Sequence, residues 1–151
     1  MIQRKQTLYL LAALIVQLVC LCLPVARLVP DGMGIASEVY NLWINTDEGA
    51  RYFTPWPLFA ILLTTCPVAI GAIALYHNRI LQAKVCLINM LLLLGWYAVY
   101  AYLATSLPGE QEHFRVSFAA ALPFVAMVFT FLARRGVIAD EKLVRSMDRI
   151  R

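Results

Sequence analysis

Hydrophobic positions in this chain gather into four long runs instead of recurring at helix or strand period. They cover residues 8–26, 56–76, 85–107 and 116–133, and none contains an Asp, Glu, Lys or Arg. A helix needs roughly 17–25 mostly apolar residues to cross bilayer hydrocarbon, so each run is long enough. The last is the shortest and reaches across with Phe114 and the flanking arginines at the interfaces. Backbone polar groups in lipid must be satisfied within the segment, which makes these runs helices. A membrane barrel would need short alternating strands, and these runs do not alternate. The expectation is an all-α membrane protein. It is an antiparallel four-helix transmembrane bundle, up-down-up-down, forming one domain over residues 1–151 with a tail at 134–151.

The polar stretches between the runs refine this picture. Residues 77–83 and 108–113 are short, so the second, third and fourth helices are consecutive antiparallel neighbours. The connection over 29–55 is the long one. It opens with the turn residues Pro30, Asp31, Gly32 and Gly34. Residues 38–44 and 51–54 then either pair as a small outer β-hairpin or form an irregular loop with Trp43 in the headgroups. Small residues such as Gly71, Ala72, Gly95 and Ala98 allow close helix approach. Pro67 and Pro123 are each expected to kink a span. Beyond Gly136, Leu143, Val144, Met147 and Ile150 recur at helical spacing, and Glu141 pairs with Arg145 at i,i+4. This predicts a C-terminal amphipathic basic helix on the inner leaflet or against a partner.

Composition agrees: 62% hydrophobic and 15% charged, against about 25% charged in soluble domains. The first run is longer than the ~7–15 apolar residues of a signal peptide, and Pro24 occupies a position where cleavage after Ala26 would need a small residue. An uncleaved first helix is expected.

Charge sets the orientation, because cytoplasmic loops collect Lys and Arg. With the N-terminus inside, ten of the thirteen bases are inside, leaving only Arg27, Arg51 and Arg115 outside. Asp140, Glu141 and Asp148 bring the inner side to a net +7, and the six outer acids leave the outer side at −3. The N- and C-termini are therefore both expected on the cytoplasmic side. The pI near 9.0 then reflects orientation, not nucleic-acid binding.

Candidate chemistry is sparse. Charge at membrane depth is the usual mark of ion or proton work, and the runs lack it. Cys20 and Cys22 point about 200° apart on one helix, which disfavours a mutual disulfide; core filling is the better reading of the cysteines. His77 and His113 are expected on opposite sides, so they share no metal. Glu110, Glu112 and His113, with Asp47 and Glu48, read as a solvated acidic rim before a cation site. Asn89 is the candidate polar site within a span, with Gln17 a second; such residues more often bond across helices. Trp96, Tyr97, Tyr100 and Tyr102 either floor a lipid or quinone pocket or pack and anchor. There is no nucleophile motif, phosphate loop or paired catalytic carboxylate, and no cofactor is implied.

The start M-I-Q-R-K-Q-T-L-Y-L-L, the turn H-N-R-I-L-Q-A-K and the tail A-R-R-G-V-I-A-D-E-K-L-V-R-S-M-D-R-I-R resemble the domain of unknown function family 4293. The turn motif matches in Asn78, Arg79, Gln82 and Lys84. The resemblance covers essentially the whole chain. It implies a small bacterial inner-membrane protein with four spans and carries over no mechanism. The candidate interaction surface is therefore cytoplasmic: Asn78, Arg79, Gln82 and Lys84 in the turn, and Arg134, Arg135, Asp140, Glu141, Arg145, Asp148 and Arg149 in the tail. The expected role is a non-enzymatic accessory or scaffold subunit contacting the lipid bilayer and another membrane protein or a cytoplasmic partner. The alternative is a transporter or a lipid- or quinone-handling enzyme.

Overall fold

A computed structural model describes residues 3–32, 34–46, 49–75, 78–109 and 112–148, except the side chains of residues 3–5, 145 and 147–148. Four helices are present: α1 (Gln3–Cys22), α2 (Trp56–Ala74), α3 (Arg79–Ser106) and α4 (Leu122–Asp148). A 3-10 turn over Phe118–Ala121 leads into α4. Each helix packs on two others: α1 on α4 and α2, and α3 on α2 and α4. Three helices are long and apolar enough to cross a membrane; α1 carries a shorter apolar stretch at Gln6–Cys22. Only 28–33% of each long apolar window is buried inside the protein. Outward-facing Leu63, Ile70, Leu91, Leu94 and Phe131 therefore form an apolar surface far larger than a soluble monomer tolerates.

The expected pure four-helix transmembrane bundle is corrected by a five-stranded antiparallel sheet. Its strands are β1 (Ala26–Pro30), β2 (Ser37–Val39), β3 (Ile44–Asn45), β4 (Arg51–Tyr52) and β5 (Glu112–Val116), in the order β4-β3-β2-β1-β5. The predicted outer hairpin is found only in part: Ile44 pairs with Tyr52, but residues 38–44 are not one strand and fold back through a turn at residues 40–43, so that β2 pairs with β3. β1 starts at the last residue of the first apolar run and extends into the long connection, and β5 spans the end of the short connection and reaches the first residue of the fourth run. They pair along their full length, Ala26 with Val116 through Pro30 with Glu112. The physical reason is alternation: Ala26 and Leu28 are buried while Arg27 between them is exposed. One rung of the outward face reads Arg115, Arg27, Glu38, Asn45 and Arg51 across all five strands. Arg27 sits between a like charge and Glu38, whose carboxylate it reaches at 3.5 Å. Tyr40 donates its hydroxyl to Glu38 at 3.1 Å, and that bond to an anion pushes the phenol above its ordinary pKa.

All four helices meet the sheet at one end. The opposite face of the sheet, with Ala26, Leu28, Val39 and Ile44, continues into the main core around Trp96. Tyr100 stacks on Trp96 at 5.1 Å and meets Phe114 of β5 edge-on at 5.7 Å. The aromatic run of α3 therefore divides by face, with Trp96 and Tyr100 buried and Tyr102 exposed. The polar tips of Trp96, Tyr97 and Tyr100 are taken. Trp96 Nε1 donates to Asn41 Oδ1 at 3.2 Å, and Asn41 Nδ2 donates to the Cys20 carbonyl at 2.7 Å. Tyr100 donates to the Val25 carbonyl at 2.9 Å, and Tyr97 to the Ala120 carbonyl at 2.7 Å.

Two further expectations change. α4 runs unbroken through Gly136 to Asp148, so no separate C-terminal amphipathic helix forms. Gly136 is a contact point: a Cβ there would lie 3.1 Å from Gln6 Cγ, so its missing side chain lets α1 approach. Pro123 is the second residue of α4, where a missing N–H costs nothing, so it kinks no span. Pro67 does lie inside α2. Thr64 donates to the Ala60 carbonyl and Thr65 to the Leu62 carbonyl, each about one turn back from itself.

The Asn41 bonds predict a stability effect. Asn41→Ala leaves the Trp96 indole N–H and a helix-end carbonyl without their partner, at a cost of about 1–3 kcal/mol. Denaturant titration in mild detergent should show this, while Asn45→Ala on the exposed face should stay within about 0.5 kcal/mol.

Candidate functional site

The end of the helices away from the sheet holds the start of α3, the first turns of α1 and the last turns of α4. Three buried or half-buried polar groups tie these elements together. Gln6 of α1 donates its amide to the Asp140 carboxylate of α4 at 2.5 Å. Arg79, in the first turn of α3, donates to the Asp140 backbone carbonyl at 3.4 Å. Gln6 and Asp140 are 7% and 8% exposed, so this acid belongs to the fold and not to an open surface.

Beside this tie a groove of about 340 Å³ opens between α3 and α4. Its walls follow helical spacing: Ile80, Lys84 and Leu87 on α3, and Arg134, Ile138 and Lys142 on α4. Arg79 and Glu141 complete the charged rim, giving four cations to one acid. Lys84 and Lys142 are exposed, while Arg134 is half-buried. The Arg134 Nε is buried with no hydrogen-bond acceptor among the described residues. A second depression, about 450 Å³, adjoins it at Asn78, Leu81 and Val144.

The structure thus gathers Arg79, Lys84, Arg134 and Glu141 of the predicted surface in one groove and sets Asn78 next to it. Arg135 is exposed on a neighbouring face of α4, and Gln82 is buried. Arg149 lies outside the described residues, as do the side chains of Arg145 and Asp148. Lys142 was absent from the predicted surface, as were Ile80, Leu87 and Ile138. The i, i+4, i+7 or i+8 spacing of 80, 84 and 87, and of 134, 138 and 142, is the signal that would have found them.

Asn89 is not on this surface. Its Nδ2 lies 3.5 Å from Thr130 Oγ1 on α4, and Thr130 donates in turn to the Ala126 carbonyl at 2.8 Å. Among the described residues its Oδ1 is buried without a partner, as are both side-chain polar atoms of Gln17. Among the described residues, no three His, Cys, Asp or Glu side chains gather to hold a metal ion. His113 pairs with Asp31 at 2.8 Å on the sheet, while Asp47, Glu48, His77 and Glu110 lie outside the described residues. All four cysteines are free; Cys20, Cys66 and Cys86 are buried. Cys20 donates weakly to the Ala119 carbonyl and Cys66 to that of Leu62.

The Gln6–Asp140 bond predicts a split between two substitutions. Asp140→Ala strands a buried amide and should lower stability by about 1–3 kcal/mol. Asp140→Asn keeps an oxygen for Gln6 and should lose far less. Thermal unfolding of the two variants in detergent checks this.

No curated protein sequence matches the chain. The family model described as "Domain of unknown function (DUF4293)" matches residues 2–150. The chain belongs to that family.

Proposed function

We propose that this protein is a non-enzymatic accessory or scaffold subunit of the bacterial inner membrane. The sheet lies on the outer side, and the Arg79–Lys142 end lies in the cytoplasm. The observation that carries this reading is the division of charge between the two ends. Arg79, Lys84, Arg134, Arg135 and Lys142 share the end away from the sheet. The sheet end carries Asp31, Glu38 and Glu112 beside its three arginines. Cytoplasmic ends of membrane proteins are the ones that collect Lys and Arg. The scaffold role is supported by how the polar interior is used. Asn89 and Thr130 face each other across α3 and α4, and the Tyr97 and Tyr100 hydroxyls bond backbone, as groups that fix helix packing do.

In this reading α4 projects its last turns past the membrane surface as a rigid extension, and those turns are the docking element for a cytoplasmic protein. Two experiments test it. A reporter active only outside the cytoplasm should be silent when fused after Arg151 and active when fused after Phe53; the opposite pattern overturns the orientation. Removing residues 143–151 should release proteins that co-purify in mild detergent while the chain stays in the membrane fraction. An unchanged set of partners overturns the docking role.

A further inference from the structure

We propose that the groove between the start of α3 and the second half of α4 binds the phosphate headgroup of an anionic phospholipid. The proposal rests on reading this end as a membrane surface.

The groove has the polarity of an amphiphile. Its rim carries Arg79, Lys84, Arg134 and Lys142 against Glu141. Asp140 does not line the groove: its buried carboxylate accepts from the neutral Gln6 amide of α1, and with its charge counted the cations still outnumber the acids four to two. Arg79 is held across the helix pair by its bond to the Asp140 carbonyl, which orients its guanidinium at the groove. The Arg134 Nε has no acceptor among the described residues. A phosphate oxygen beside that guanidinium supplies one, in the paired geometry that Arg and phosphate favour. Asn78 makes no side-chain cap at the first turn of α3, and the positive end of that helix dipole adds to the field of the cations.

Below the rim the walls are apolar. Leu87 lines the groove, and exposed Leu91 and Leu94 continue its face of α3 at i+4 and i+7. An acyl chain descending from a headgroup at the rim follows this face. A free phosphate or an acidic peptide uses the cations but not the leucines. Basic pockets between membrane helices on the cytoplasmic side are established places for anionic headgroups. The combination of a cationic rim over an outward apolar track selects the lipid.

The test uses the full chain in mild detergent, with bound lipid counted by native mass spectrometry after exposure to phosphatidylglycerol or to phosphatidylcholine. Phosphatidylglycerol should be retained and phosphatidylcholine should not. Lys84→Gln with Lys142→Gln removes two exposed cations without touching a buried contact. It should weaken retention on the order of tenfold, while Arg135→Gln should leave it unchanged. Equal retention of the two lipids, or no loss in the double variant, overturns the proposal. Displacement of the lipid by millimolar inorganic phosphate identifies a free-phosphate site, and displacement by polyglutamate an acidic-peptide site; either overturns it too. Retention in detergent does not depend on orientation in the cell. A failed lipid site with correct reporter topology therefore refutes this proposal alone. Reversed topology with intact retention refutes the scaffold reading alone.

Discussion

Val25 is the joint on which the two halves of this protein turn. Its N–H bonds the Val39 carbonyl at 2.8 Å, so it begins the sheet. Its carbonyl accepts from the Tyr100 hydroxyl at 2.9 Å and from the Ser117 N–H at 3.1 Å, so it also holds α3 and the lead into α4. One fully buried residue thus carries bonds to three other parts of the chain. Helices surrounded by lipid gain little from burying apolar surface against one another, because the tails are equally apolar. Directional bonds therefore decide which packing is selected. Here they are concentrated where helix ends meet strands, and Asn41 and Trp96 extend them to the end of α1.

The two ends of the helices differ in kind as well as in charge. At the sheet end, aromatic rings fill the space, with the Tyr97 and Tyr100 hydroxyls bonded to backbone and the Trp96 indole to the Asn41 side chain. At the other end, buried Asp140 faces Gln6, and the cations line a groove the protein does not fill. A closed end that fixes geometry is thus set against an open end rich in cations.

The sequence reading succeeded where a signal runs over many residues. The apolar runs located three long helices, and the short links made α2, α3 and α4 neighbours. It failed at the sheet because β1 and β5 are five residues each and adjoin long apolar runs that swallow their alternation. Ala26 and Leu28 around Arg27 do alternate, but three positions are weak against nineteen apolar ones. Gly136 misled for a related reason. After two arginines it resembles a helix terminator, whereas its role is set by Gln6, 130 positions earlier. Asn41 gave no local sign at all, since its partners Trp96 and Cys20 are brought to it only by the fold. The groove was half legible: the charges were visible, while the apolar floor became a floor only when α3 met α4.

The pairing of β1 with β5 has a consequence for assembly. β1 is the second strand from one edge of the sheet, yet its outer neighbour is made last, from residues 112–116. While α2 and α3 are being synthesised, β1, β2, β3 and β4 can form a local meander, but one side of β1 has no partner. During that interval the Arg27 strand is an open edge, the kind of template that pairs with a second chain. β5 follows both intervening helices along the chain, so this edge can be closed only once α2 and α3 have been made. A chain arrested before residue 112 would keep that edge open.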